Sequence, residues 1–431
     1  MGYELVEWSG DDGTQISCVA GLDLGKAELA CCVQQDDPDR PGRQRQQVST
    51  WSTMSNSLTQ LAGMLITARV QLVAMEATSD YWKPVFYRLE AHGLNVMLVN
   101  AKHFRHVPGR PKTDKLDAQW LARLAGNGML RPSFIPPADI RVLRDLTRDR
   151  ADLVDQRTAN KNRVEKLLED AGIKLSVVAT DIFGASGRAM MQALIGGQRD
   201  PQVLAGLAKA SLKLKHDALV EALTGMFTGH HGFRLGLILD RIDALTRDID
   251  TIDERIDKVI APYDAQRQQL AAIPGVSQTN AAAILAEIGT DMTRFPTPGN
   301  LASWARYAPG VNESAGKQKG AGATGKGNRY LARALGQSAV ASRRTTTFLG
   351  ARYRRLARRI GPPKAQTAVG RSMLVGIWHL LSDTDATWID LGPSHYQEHH
   401  NPQHAIQQHI QALQANGYTV TLTPKRTVFS E

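Results

Sequence analysis

Residues 16–125 alternate between short apolar runs and amphipathic stretches, and this alternation constrains the fold more than any other feature of the chain. Apolar runs of strand length occupy residues 16–24, 28–33, 47–51, 72–76 and 95–100. Helical periodicity occupies residues 56–70, 81–92 and 114–125. In the last of these, Leu116, Trp120 and Leu124 are spaced to form one apolar stripe. The pattern predicts a sheet that is covered by helices.

The order of these elements narrows the choice of sheet. Three strands of antiparallel type come first, and helices and strands alternate after them. This order describes a ribonuclease-H-like sheet, and we assign it to a first domain over residues 14–130. A chain of 431 residues is too long for one ordinary domain, so further domains are expected.

Two long, charged, heptad-like stretches follow, at residues 142–171 and 235–260. We interpret residues 140–262 as a helical insert whose two coiled-coil arms pair, either as a plain spacer or as a dimerisation element. A mainly α-helical third domain is expected over residues 268–385. It begins near residues 273–277 (IPGVS), which resemble a helix-hairpin-helix turn, where backbone N–H groups meet a phosphate.

A tail over residues 386–431 completes the chain. It contains His395, His399, His400, His404 and His409. Their spacing fits no familiar zinc pattern, and no cysteine accompanies them, so a solvated helix is the favoured interpretation.

The positive charge is concentrated in one segment. The formal net charge is +10, but residues 317–371 contain 14 Lys or Arg and no Asp or Glu, so the rest of the chain is net negative. A local field of this strength indicates a polyanionic partner, with a ribosome-like or membrane-surface patch as the alternative. Nucleic acid is favoured, because Tyr307, Tyr330 and Tyr353 lie among the charges.

Four acids occupy positions that suit a metal site. Asp23 and Glu76 end apolar strands, and Asp114 and Asp117 lie three residues apart on one helix face. Clustered carboxylates would take up protons unless cations neutralised them. Two Mg²⁺ ions about 4 Å apart can activate an attacking oxygen and stabilise a leaving one. Taken singly, Asp114 could instead be an N-cap, Asp117 a solvated helix acid, and Asp23 part of the phosphate loop of an actin-like sugar kinase.

Ser314 lies where the acid-free stretch begins, in residues 312–317 (NESAGK). A serine hydroxyl is a weak nucleophile unless a base or a metal assists it, whereas nearby cations would stabilise a transferring phosphoryl group. A serine that serves only the turn of a glycine-rich loop is the alternative. The loop precedes a helix that is expected to begin at Arg329.

Together these motifs resemble the DEDD insertion-sequence recombinases, a transposase family related to Piv-type invertases, some of which a bridge RNA guides. In the first half the resemblance lies in residues 21–26 (GLDLGK), 75–78 (MEAT) and 112–118 (KTDKLDA). In the second half it lies in residues 273–276 (IPGV), 302–305 (ASWA), 313–317 (ESAGK) and 326–331 (KGNRYL). The family often has two serines before a glycine pair, whereas Glu313 and Ala315 stand at two of those places here.

The resemblance implies a RuvC-like first domain in which Asp23, Glu76, Asp114 and Asp117 form the metal-binding DEDD set. It implies that Ser314 is the nucleophile, forming a transient phosphoserine bond to DNA. It also implies a homo-oligomer whose half-sites assemble across protomers, and a non-coding bridge RNA as a partner beside DNA. Phosphate contacts are expected from Lys317, Lys319, Lys326, Arg329 and Arg333.

Other classes fit less well. A RuvC-like nuclease or junction resolvase would need the four acids but not Ser314, and it is the main alternative. A kinase would need a second phosphate loop, which we do not find, and a non-catalytic binding protein leaves the acids unexplained. There is no apolar run of 18 residues and no signal peptide, and Cys18, Cys31 and Cys32 suggest buried thiols, so a cytoplasmic location is expected.

Overall fold

The computed structural model describes residues 16–40, 42–77, 79–100, 113–309, 313–314, 317–318, 325–396 and 402–422. Chain contacts divide the protein into two compact units, Met1–Ile135 and Pro136–Glu431. The bounds of the four predicted domains remain predictions, because the structure divides the chain into only two units. The second unit contains three of the four domains. None of the helices in the described ranges is long and apolar enough to cross a membrane.

The first unit contains the predicted sheet. Its strands are β1 Cys18–Leu24, β2 Glu28–Asp36, β3 Gln44–Ser52, β4 Leu72–Glu76 and β5 Val96–Val99. Its helices are α1 Ser55–Thr67, α2 Trp82–Ala91 and α3 Asp114–Gly126. The strand order is β3-β2-β1-β4-β5, with antiparallel pairing among β1, β2 and β3 and parallel pairing of β1 with β4 and of β4 with β5. This arrangement confirms the ribonuclease-H-like sheet.

Strand alternation separates two apolar layers. Even-numbered residues of β1, such as Leu22, pack with α1 and α2, whereas Val19 and its neighbours on the opposite face pack with α3. Cys31 is buried in the first layer and Cys32 in the second, while Cys18 is also a buried thiol, and all three are free, as predicted.

The predicted apolar stripe of α3 is buried at Leu124, whereas Trp120 is only partly buried and Leu116 is 36% exposed. Ala118, Leu121 and Ala122 are buried as well. The reason is the close approach of the helix to β1. A Cβ on Gly21 would lie 2.3 Å from the carbonyl oxygen of Ala118, so small residues rather than large ones face the sheet.

The second unit is helical. Its elements are α4 Ala138–Asp170, α5 Leu175–Val178, α6 Ala185–Ile195, α7 Pro201–Gly206, α8 His216–Leu223, α9 Gly229–Ile260, α10 Asp264–Ala271, α11 Gln278–Ile288, α12 Pro298–Trp304, α13 Arg329–Ser342, α14 Phe348–Ile360, α15 Pro362–Ser382 and α16 Pro402–Ala415. A two-residue ladder joins β6 Glu313–Ser314 to β7 Lys317–Gln318. The mainly helical C-terminal region is therefore confirmed.

The two long arms pair, as the heptad-like pattern indicated. Arg150 forms an ion pair with Asp253, and the guanidinium of Arg157 lies 3.3 Å from the hydroxyl of Thr246. Since the partner number falls as the residue number rises, α4 and α9 run antiparallel. The helices between them pack on the far ends of both arms, around a shared apolar core.

The hairpin at residues 273–277 connects α10 and α11, and the phosphate contact expected of it remains a prediction. Gly275 has φ +94°, and a Cβ there would lie 2.3 Å from the carbonyl oxygen of Ser338, so the turn faces α13. The Val276 N–H donates to the carbonyl of Ile273 at 2.9 Å. Ser277, which stands where a second glycine is usual, caps α11 by accepting from the N–H of Asn280.

Candidate active site

Asp23 and Glu76 are brought side by side by the register of the sheet. β1 and β4 are parallel, with Leu22 opposite Met75, so the next residue of each strand is one of the two acids. Both acids belong to the face of the sheet that α3 covers, because the alternate positions before them pack with that helix. Asp23 is half-buried and Glu76 is 7% exposed.

Helix α3 brings the other two acids to the same end of the sheet. Gly126, at the end of the helix, lies beside Val19, and Ala118 lies against Gly21, so the helix runs antiparallel to β1. Its first turn is therefore at the end of β1 where Asp23 lies. Asp117, half-buried, and Asp114, exposed, are both in that turn.

The N-cap of α3 is Thr113, whose hydroxyl accepts from the N–H of Leu116 at 3.3 Å. The alternative role of Asp114 as N-cap is thereby excluded. Within the described ranges, no three His, Cys, Asp or Glu side chains converge closely enough to hold a metal ion. The four carboxylates share one end of the sheet, and oxygen donors of this kind are the ligands that hard divalent cations take.

Ser314 lies in the second unit, at the tip of a small β-ladder. It pairs with Lys317 in antiparallel register, so its backbone is held beside the first lysine of the acid-free stretch. Lys319 lies outside the described residues, and Lys326 is exposed.

A buried ion-pair cluster, which the sequence analysis missed, fixes the downstream end of this loop. Asn328 caps α13 by accepting from the N–H groups of Tyr330 and Leu331, and its side-chain amide donates to Glu287. Glu287 is 0% exposed and accepts from Arg148 Nε at 2.7 Å and Nη2 at 2.8 Å.

Burial lowers the pKa of Arg148, but the hydrogen bond and the charge of Glu287 outweigh this and hold that pKa above its ordinary value. One signal could have revealed the cluster. Glu287 is the only charged residue in the otherwise apolar run 281–288 (AAAILAEI), and a charge in such a run requires a partner.

Two of the expected phosphate ligands are engaged by acids of α4. Arg329, 72% exposed, lies 3.2 Å from Asp152, and Arg333 lies 2.6 Å from Asp155. Both arginines are near the surface, where solvent screens an ion pair, so a phosphate could replace the carboxylate.

The three tyrosines that lie among the charges pack within the second unit. Tyr353 is 3% exposed, and burial raises the pKa of Tyr307, which packs against Gly370, to about 12. Tyr330 is partly buried between the guanidinium groups of Arg148 and Arg329. Tyr353 therefore gives no support to a nucleic-acid partner, because its ring is closed to any ligand.

The histidine-rich tail contains the expected exposed helix, α16, on which His409 is exposed. His395 packs edge-on against Phe348, with ring centroids 5.6 Å apart. His399 and His400 lie outside the described residues, as does the side chain of His404.

Comparison with known proteins identifies relatives of both units. A model of DEDD transposases from IS110 elements, described as "Transposase", matches residues 20–173. A second model, described as "Transposase IS116/IS110/IS902 family", matches residues 267–354. Between them they include the four acids, Ser314 and the whole of the first long arm.

The chain is also similar to individual proteins, two of which are named as transposases. The chain is 26% identical over 262 residues to a "Probable family 20 transposase" of Pseudomonas aeruginosa, which is 60% of this chain and 68% of that protein. It is 24% identical over 277 residues to the "Transposase for insertion sequence element IS1111A" of Coxiella burnetii, which is 63% of this chain and 66% of that protein. The "Insertion element IS900 uncharacterized 42 kDa protein" of Mycobacterium paratuberculosis is 26% identical over 390 residues, 84% of this chain and 95% of that protein.

Among solved structures, the chain is similar to "Thermus thermophilus RuvC structure", at 15% identity and a TM-score of 0.22, over 27% of this chain and 99% of that one. The two family models span the strands, α3 and the basic loop up to residue 354. The chain belongs to the IS116/IS110/IS902 family of DNA transposases.

Proposed function

We propose that this protein is the site-specific recombinase of an insertion sequence, which cuts and rejoins DNA with a serine nucleophile and a carboxylate metal site. One observation is central to the proposal. The parallel register of β1 and β4, together with the close approach of α3 at Gly21, places Asp23, Glu76 and Asp117 at one end of one sheet.

The acid set fits a divalent cation. Asp23, Glu76, Asp114 and Asp117 would hold it, Mg²⁺ being the proposed ion and Mn²⁺ a substitute, because all four offer carboxylate oxygens. When bound, such ions neutralise the clustered negative charge and polarise phosphoryl oxygens. The carboxylates would hold the cations in position beside the scissile phosphate, and Gly21 keeps α3 close enough for its first turn to take part.

Ser314 would perform the covalent step. Its Oγ attacks phosphorus, so that an Oγ–P bond forms and the ester bond to one strand breaks. The hydroxyl proton passes to a base, and the leaving strand oxygen gains a proton. Attack by a strand-end hydroxyl reverses the exchange, which restores Ser314 and joins the strands without an external energy source.

The basic segment would hold the substrate. Lys317, Lys319 and Lys326 would contact phosphates, and Arg329 and Arg333 would exchange Asp152 and Asp155 for them. A bridge RNA as guide, and half-sites that assemble across the protomers of a homo-oligomer, are further parts of the proposal, supported by the family to which the chain belongs.

Excision and rejoining of the native element in cells tests the proposal. The gene is supplied with its own flanking DNA, and the junctions are amplified and sequenced. We expect junctions with wild type and none with Ser314→Ala or Asp23→Ala. The matched controls are Ser303→Ala and Asp39→Ala, which alter an exposed serine and an exposed acid of the same two units and should leave junctions intact.

The alternative is a RuvC-like metal-dependent nuclease that forms no covalent serine intermediate. Under that alternative, Ser314→Ala would still cleave DNA while Asp23→Ala would not. Junctions that survive Ser314→Ala would therefore remove the serine from the mechanism.

A further inference from the structure

A cavity of about 300 Å³ lies between α14 and the segment that follows α15. Several contacts hold the segment in place, and two of them lie near the cavity. Asp390 accepts from the N–H of Phe348 at 3.1 Å, and Trp388 packs over Gly376, where a Cβ would lie 2.5 Å from its ring. The cavity is lined by four arginines, Arg352, Arg354, Arg355 and Arg358, and by Phe348, Ala351, Pro393 and Tyr396.

Two of these arginines have donors that the fold does not satisfy. The Nε atoms of Arg352 and Arg355 are buried without a hydrogen-bond partner. Their neighbour Arg354 shows the contrast, since it donates to the carbonyls of Arg343 at 2.6 Å and Thr345 at 2.9 Å. A buried unsatisfied donor is unfavourable, so the arrangement favours an additional acceptor.

Charge points to the same conclusion. Burial lowers the pKa of Arg352, and the positive charge of Arg355 lowers it further. Across the described residues, no carboxylate forms an ion pair with Arg352, Arg355 or Arg358, and residues 314–382 contain no acid at all. Among the described residues, therefore, none supplies the missing acceptor, which points to an added anion.

The shape of the site indicates which anion. The guanidinium of Arg355 stacks on the ring of Tyr396, 3.1 Å from its centroid, which fixes the plane of its fork. Planar guanidinium forks match the oxygens of a phosphate by paired hydrogen bonds. We propose that this cavity binds a phosphate group of a nucleic-acid strand, an inference that rests on the proposed function and adds a second contact surface to it.

Binding by the full chain tests the inference. Polarisation of labelled single-stranded DNA, and of RNA of the same sequence, is measured for wild type, Arg352→Gln/Arg355→Gln and Arg344→Gln/Arg359→Gln. The last is the matched control, because it removes two exposed arginines of the same basic segment that do not line the cavity. We expect the cavity variant to lose about 10- to 100-fold in affinity and the control about 3-fold or less.

The two probes separate the sources of the phosphate. A loss confined to DNA, a loss confined to RNA, and a loss with both would each support the inference and identify the strand that is held. Equal losses in the cavity variant and the control would overturn it, since they would mean that only total charge matters.

Thermal unfolding with inorganic pyrophosphate distinguishes a variant that has lost the anion site from a variant that does not fold. Pyrophosphate should raise the melting temperature of wild type, and the rise should be absent from Arg352→Gln/Arg355→Gln. Should the glutamine variant fail to fold, Arg352→Lys/Arg355→Lys keeps both charges but loses the forks, and the rise should at least halve. A rise equal to that of wild type in either variant would refute the site.

The readouts also separate this inference from the proposed function, because binding is measured without strand joining. Specific loss of binding in the cavity variant, with no recombination by wild type, would sustain the site and reject the recombinase. Recombination by wild type, together with no specific loss of binding in the cavity variant, would reject the site but not the recombinase.

Discussion

Glu287→Ala is expected to be one of the most destabilising single substitutions in the second unit. Glu287 is 0% exposed, and its carboxylate is the acceptor for both Nε and Nη2 of Arg148. Arg144 is less dependent on it, since its guanidinium also donates to the carbonyls of Ala286 and Glu287. Alanine would therefore leave one guanidinium, that of Arg148, without its counter-charge.

The magnitude follows from the exposure of the partners. Removing one member of a buried ion pair costs about 3–5 kcal/mol. The side chain of Arg148 is 32% exposed, so water would solvate part of its charge and favour the lower end of that range. The Asn328 amide also loses an acceptor, which adds about 1 kcal/mol. We expect a loss of about 3–4 kcal/mol in the free energy of unfolding, and a melting temperature lower by about 6–15 °C.

Calorimetry and denaturant unfolding would measure this loss. Glu254→Ala, which removes an exposed acid of α9, is the matched control and should change stability by less than about 0.5 kcal/mol. Glu287→Leu combined with Arg148→Met should recover most of the loss, because it removes both charges together. A change below about 1 kcal/mol in Glu287→Ala would refute the view that this ion pair secures the base of the basic loop.

Three further outcomes are expected. Gly21→Ala should destabilise the first unit by about 1–3 kcal/mol in thermal unfolding, because its Cβ would lie 2.3 Å from the Ala118 oxygen; an unchanged melting temperature would show that α3 is not held this closely. Burial raises the pKa of the Cys31 thiol from 9.0 to about 12, so the unfolded chain releases this proton at lower pH than the folded chain. The free energy of unfolding should therefore fall between about pH 9 and pH 12, and fall less in Cys31→Ala when both are followed by denaturant titration; parallel curves would contradict the burial argument. Affinity for DNA should decrease steeply with salt in a binding titration, and a flat response would exclude the basic segment as the contact surface.

The first unit could be predicted well because strands and helices leave different periods in the sequence. Short apolar runs located all five strands, and the ends of two of these runs singled out Asp23 and Glu76. The face of α3 could not be obtained in this way. Its packing depends on the missing side chain of Gly21, whereas the prediction followed the largest apolar residues of the helix.

The second unit shows where local patterns fail. The arms and the helix beginning at Arg329 follow from periodicity, but the partners of Glu287 are about 140 residues away on α4, and no local pattern specifies them. The tyrosines among the charges favoured a nucleic-acid partner, yet Tyr353 contributes to the core. A local pattern describes only residues that are near one another in sequence. Which side chains are buried depends on how distant elements pack together.

Covalent capture tests whether Ser314 forms a phosphoserine bond to DNA. Full-length protein is incubated with end-labelled DNA of its own element and a divalent cation, and the products are separated under denaturing conditions. We expect a protein-linked DNA species with wild type and with Ser303→Ala, and none with Ser314→Ala. Recombination by wild type without such a species, or a species that persists in Ser314→Ala, would contradict a serine nucleophile.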